Sequence, residues 1–159
     1  MLTMKQLLVP VDFSSASWLA IEAAGTVAQR TGAEIDLIHV WELPSLTGPQ
    51  EVYIGAAFPP ALLETLRDNA ARGVEQTALE ARARGFAIRR AKAMPGSPYQ
   101  VIVEEAARGG YDLVVVGTHS RKSLARLVLG SVAERVVRYA PCSVLVARAK
   151  PVDPQTTQA

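Results

Sequence analysis

Gly117, Thr118, Ser120, Gly130 and Ser131 bracket a stretch that carries Arg121, Lys122 and Arg126 and no acidic residue. A glycine at the end of an apolar run lets the backbone turn sharply and lets a ligand come close. Gly130 and Ser131 stand where a helical pattern begins, and the first N–H groups of a helix lack partners and carry the positive end of its dipole. Hydroxyls at Thr118, Ser120 and Ser131 could donate to phosphate oxygens. The chemistry this suggests is the holding of a phosphate. The same spacing also fits a plain chain turn, a helix cap at Ser131 and a solvated charged face, so spacing alone leaves both readings open.

Asp12 closes another apolar run, a place that normally excludes a carboxylate. It can cap the helix that begins near Ser14 or accept hydrogen bonds from a ribose or adenine donor. His39 falls in a strand pattern and reads as structural, while His119 falls in the charged loop. Neither joins a cluster of cysteines and carboxylates, so no protein metal site is expected. Cys142 is the single cysteine, which excludes an intrachain disulfide; its apolar flanks describe a buried, inert thiol.

These residues need a scaffold, and the hydropathy pattern supplies one. Apolar, β-branched runs occupy residues 6–11, 34–40, 86–91, 112–116 and 142–147, several without alternation, as expected for strands covered on both faces. Helical spacing joins Trp18, Ile21, Ala24, Val27 and Ala28 within residues 14–31, and Gly32 stands at the stop. A second helical pattern, residues 61–84, carries Leu63, Leu66, Ala70, Val74 and Ala78 and ends at Gly85. Ser97-Pro98-Tyr99-Gln100 and Ser131-Val132-Ala133-Glu134 have the spacing of helix starts, and Pro141 stops the latter helix. The alternation calls for an α/β fold: an open, mostly parallel five-stranded sheet with helices on both faces, which binds ligands at the carboxyl ends of its strands.

Residues 1–148 make one domain on this reading, and residues 149–159 a disordered tail. Leu43 to Pro60 forms a long irregular connection with Trp41, Val52, Tyr53, Ile54 and Phe58 in or beside it, either a lid or a flap folded onto the core. The sequence shows no internal repeat and no low-complexity tract. Of the residues 49% are hydrophobic and 20% charged, and the net charge is only +2, so no nucleic-acid partner is expected. No apolar run suffices to span a bilayer, and the first residues lack the features of a signal peptide. The expected location is the cytoplasm.

The stretch Gly117-T-H-Ser120-RKSLARLVL-Gly130-Ser131 resembles the nucleotide-binding signature of the universal stress protein family: glycine, two residues, glycine, nine residues, then Gly-Ser or Gly-Thr. Ser120 departs from it, standing where the signature has its second glycine. The resemblance extends to VPVDFS near the start, to the strand ending IHV, to the turn Gly96-Ser97-Pro98 and to the closing APCSVLVAR, and so runs through nearly the whole chain.

This resemblance implies an adenine-nucleotide α-hydrolase-like, Rossmann-like domain that binds ATP. It implies that Asp12 meets the nucleoside, that backbone at Val40 meets adenine, and that Gly117, Thr118, Ser120, Gly130, Ser131 and Val132 follow the phosphates. Pro10, Val11 and the Gly96 turn would complete the wall. Magnesium, where present, would arrive with the nucleotide and be held by phosphates and water. A homodimer through the last strand, Cys142 to Ala147, is implied too, and it would cover an apolar edge. The expected function is a dimeric, nucleotide-responsive stress or signalling module with an unknown protein partner and no catalytic residues, although slow ATP hydrolysis would be compatible with it. Two alternatives stay open: an interaction protein whose pocket Ser120 keeps empty, and an ATP hydrolase with His119 or Asp12 as base.

Overall fold

The computed structural model describes residues 4–43, 59–118 and 129–149. Strand and helix alternate along the chain: β1 (Gln6–Pro10), α1 (Ser15–Thr31), β2 (Glu34–Trp41), α2 (Pro60–Ala83), β3 (Ile88–Pro95), α3 (Pro98–Gly109), β4 (Leu113–Gly117), α4 (Ser131–Tyr139) and β5 (Ser143–Ala147). The five strands are parallel, in the order β3-β2-β1-β4-β5. The chain works outward from β1 to β3, then returns to lay β4 on the other side of β1. The switch point therefore lies between β1 and β4, where such sheets open a crevice at their carboxyl ends.

Side-chain alternation explains the unbroken apolar runs. Leu7 and Val9 of β1 join Ile35, Leu37, Ile21, Ala24, Val74 and Ala78 beneath α1 and α2. Leu8 points the other way and joins Ile38, Ile102, Val114, Ala133 and Val136 beneath α3 and α4. Each fully covered Leu, Ile or Val contributes about 1.5–3 kcal/mol relative to exposure, so both faces of the central strands demand apolar residues. Helix α1 stops at Gly32, at φ 73, as its glycine foretold.

Several boundaries differ from the sequence pattern. The third strand begins at Ile88 and runs on to Pro95 instead of spanning residues 86–91, because polar Arg89, Arg90 and Lys92 lie on an edge strand where alternation is relaxed. Phe86 instead packs against the α1–α2 core. Ser131 is not the cap of α4: Gly130 holds that position in extended geometry, and Ser131 is the first helical residue. Ser97 is the N-cap of α3, yet its side chain makes no capping hydrogen bond.

Asp36 and Glu105 were hidden from the pattern. Asp36 lies inside β2 with 1% exposure. The register shifts between Ile35 and Asp36, whose partners are Ile88 and Arg90, so Arg89 is the extra residue of a bulge. The bulge aims its guanidinium inward, donating from Nε to Oδ1 at 2.9 Å and from Nη2 to Oδ2 at 2.6 Å; the Tyr111 hydroxyl donates to Oδ2 at 2.7 Å. Burial alone would raise the Asp36 pKa, but the bonds from Arg89 and Tyr111 outweigh it and hold the carboxyl below its ordinary value. Glu105 behaves alike: burial opposes its ionisation, and Lys92 and Arg108 more than offset it.

Candidate functional site

At the switch point the carboxyl ends of β1, β2 and β4 and the starts of α3 and α4 surround a cavity of about 510 Å³. Its inner wall is apolar, with Ile38, Ile102, Val116, Val132 and Ala133; its polar rim includes Asp12, Ser17, Glu42, Thr118, Ser131 and Arg135. A mainly apolar slot with a few placed polar groups is the usual form of a small-molecule site.

The turn from β1 into α1 is held rigidly. The Asp12 N–H donates to Ser17 Oγ at 2.8 Å, while Asp12 Oδ1 accepts from the Ser14 N–H at 3.1 Å, from the Ser14 hydroxyl and from the Ser17 hydroxyl at 2.7 Å. Ser14 in turn caps α1, accepting from the Ser17 N–H. Between them Phe13 takes φ 65, a left-handed conformation that costs a non-glycine residue about 1–2 kcal/mol. Its ring lies 4.2 Å from that of His39, and His39 Nδ1 donates to the Val11 carbonyl at 2.8 Å. The structural reading of His39 is the one observed. Asp12 combines both of its possible places: it organises the start of α1 and lines the cavity.

The start of α4 is built differently. Gly130 donates to the Thr118 carbonyl at 2.8 Å and accepts from the Glu134 N–H at 2.9 Å, but no side chain caps the helix. The first turn of α4 borders the cavity directly.

Of the residues singled out in the sequence, Pro10, Val11, Asp12, Val40, Gly117, Thr118, Gly130, Ser131 and Val132 all line this cavity. Gly96 is set back from it: Ser97 and Pro98 reach the wall, while Gly96 turns at φ 135 and donates to the Trp41 carbonyl at 3.0 Å. Gly117 has a further reason to be glycine. A Cβ there would lie 2.5 Å from the Ala16 carbonyl oxygen, so the close approach of β4 to α1 excludes a side chain before any ligand is considered. Ser120 and His119, with Arg121, Lys122 and Arg126, lie outside the described residues, as do Val52, Tyr53, Ile54 and Phe58 and all of the tail beyond residue 149. Cys142 lies just before β5, where burial pushes its thiol pKa up against the opposing backbone bond from Val114, in keeping with an unreactive thiol.

A sequence profile described as the universal stress protein family matches residues 3–148. The chain belongs to the universal stress protein family. It is 32% identical over 145 residues to a universal stress protein of Methanocaldococcus jannaschii, covering 91% of this chain and 82% of that protein. The structure of the universal stress protein UspA from Lactobacillus plantarum superposes with a TM-score of 0.72 at 27% identity, covering 93% of this chain and all of the other. An Arabidopsis thaliana universal stress protein family structure with AMP bound is alike in fold, with a TM-score of 0.62 at 20% identity, covering 92% and 93%.

Within this universal stress protein domain, the sequence reading missed Ser17, Glu42, Tyr99, Ile102 and Arg135 as cavity residues. Ser17 and Arg135 had a usable signal, each lying on the first turns of a helix whose start was recognised. Tyr99 and Ile102 read as ordinary positions of α3, because only its docking against α4 turns them toward the cavity.

Proposed function

We propose that this universal stress protein binds an adenine nucleotide, ATP with its magnesium, in the cavity at the β1–β4 switch point. The observation that carries the reading is the pairing, in one cavity, of an apolar slot with a helix start that no side chain caps. The slot suits a flat base, and the free N–H groups and dipole of α4 suit phosphate. Asp12 and the backbone at Val40 then serve the nucleoside, with Pro10, Val11 and the turn after Gly96 as wall. Gly117, Thr118, Gly130, Ser131 and Val132 follow the phosphates; Ser120, assigned the same role by the family resemblance, lies outside the described residues. The AMP held by the Arabidopsis protein agrees with this class of ligand. Magnesium, where present, is carried by the phosphates and water.

The module is a binding protein and not a dedicated catalyst. Asp12 Oδ1 accepts three hydrogen bonds from the start of α1, which gives this carboxylate a structural role there. The working unit is a homodimer through β5, whose alternating burial leaves Leu145 36% exposed on a regular strand at the sheet edge. The opposite edge, β3, carries a bulge and charges that discourage strand addition. We assign the chain to the cytoplasm, with residues 1–148 as one domain.

Titration calorimetry of nucleotide-stripped protein with Mg-ATP tests this reading. Saturable binding is expected in the wild type and its loss in Gly130→Val, which places a branched side chain at the α4 start. Gly130 has φ −61 and ψ 150, a conformation valine adopts without strain. No heat and no thermal-shift response in the wild type would overturn the nucleotide reading and favour an interaction protein with an empty pocket.

A further inference from the structure

We propose that Arg135, laid across the ring of Tyr99, reads the nucleoside end of the bound molecule and not its phosphates. This rests on the nucleotide reading above and deepens it.

Arg135 lies four residues beyond Ser131, about 6 Å along α4, and borders the cavity. Its guanidinium carbon stands 4.8 Å from the centre of the Tyr99 ring. Tyr99 belongs to the first turn of α3, and Tyr139 backs its ring at a centroid distance of 6.3 Å. The chain just before that turn is tied to the end of β2 by the bond from Gly96 to Trp41. Although α4 carries Arg135, its guanidinium lies over the first turn of α3, which borders the cavity as does the end of β2 at Val40 and Glu42. Thr118 and the α4 start border the other side, beyond β1 in the strand order.

Apart from Glu42, the wall on the β2–α3 side is largely apolar, with Val40, Pro98 and Ile102, and a planar cation over such a slot suits the face of an electron-rich base better than a hydrated phosphate. An arginine stacked on one aromatic ring is already oriented to stack on or hydrogen-bond to a second ring system. Its contribution should then be the same however many phosphates the ligand carries.

The test compares adenosine, AMP and ATP binding to the wild type, Arg135→Met and Tyr99→Leu by calorimetry, with weak ligands read by displacement. Methionine keeps an apolar stem without the charge; position 135 is exposed, so the variant should melt with the wild type. Arg135→Met is expected to weaken all three ligands by one common factor of about three- to tenfold, and Tyr99→Leu to reproduce that pattern. A loss that grows from adenosine to ATP would mark Arg135 as a phosphate contact and overturn the proposal, as would unchanged affinity for all three. A wild type that binds none of them sinks the nucleotide reading, and this inference with it. Binding by the wild type with an uneven loss in Arg135→Met sinks this inference alone.

Discussion

Of the three helices that begin at this cavity, α1 and α4 meet the same physical problem in opposite ways. At α1 the unpaired N–H groups are answered from within the chain: Ser14 caps the helix and Asp12 braces both Ser14 and Ser17. At α4 the N-cap is Gly130, which has no side chain to offer, and the first turn lies against the cavity. A helix start closed by its own side chains contributes stability, whereas one with a glycine N-cap forgoes about a few tenths of a kcal/mol and leaves its first donors facing the cavity. The difference sets a helix start closed by its own side chains against one left open to the cavity.

The largest test of that contrast is Ser131→Glu. A carboxylate in the first turn of α4 favours the helix through its dipole, yet it stands where phosphate is expected. Thermal unfolding should be unchanged or slightly raised, while ATP affinity falls on the order of a hundredfold. Unchanged affinity in calorimetry would mean that α4 is as closed functionally as α1.

Ser14→Ala probes the other helix. Loss of the α1 cap should cost about 1 kcal/mol, lowering Tm by about 2–4 °C, while ATP affinity changes by no more than about twofold. Asp12→Asn should fall between the two, since Asp12 borders the cavity and also braces α1: a melting loss like that of Ser14→Ala, together with about a tenfold weaker nucleotide. A variant that lost only stability, or only affinity, would assign Asp12 to one role.

The smallest effect on binding belongs to charges deeper in the sheet. Asp36 and Glu105 both have folded-state pKa values below their ordinary ones. Their stabilisation is therefore present above about pH 4.5 and drains away as pH falls through the depressed folded values. In an acid titration followed by circular dichroism, the double variant Asp36→Asn, Glu105→Gln should be less stable than the wild type at pH 7, with a gap that narrows toward pH 2. Its ATP affinity at pH 7 should match the wild type. A gap that did not vary with pH would contradict the ion-pair account.

Much of this molecule could be read from the chain. Continuous apolar runs identified the strands because β1 and β4 are covered on both sides, and Gly32 and Gly85 marked helix ends because they take positive φ. The polar edge strand β3 was misplaced by the same logic, since a strand covered less fully need not be apolar. At the candidate site, turn chemistry was local enough to mark Asp12, Thr118, Gly130 and Ser131 in advance.

What the sequence by itself determined was therefore the order of elements and the two-faced sheet, because each depends on residues within a few positions of one another. Only the tertiary structure decided that Gly117 must be glycine to clear Ala16, that a bulge turns Arg89 onto Asp36, and that Arg135 of one helix lies across Tyr99 of another. Each of these is a contact between residues well apart in the chain, and its geometry exists only once the helices have packed onto the sheet.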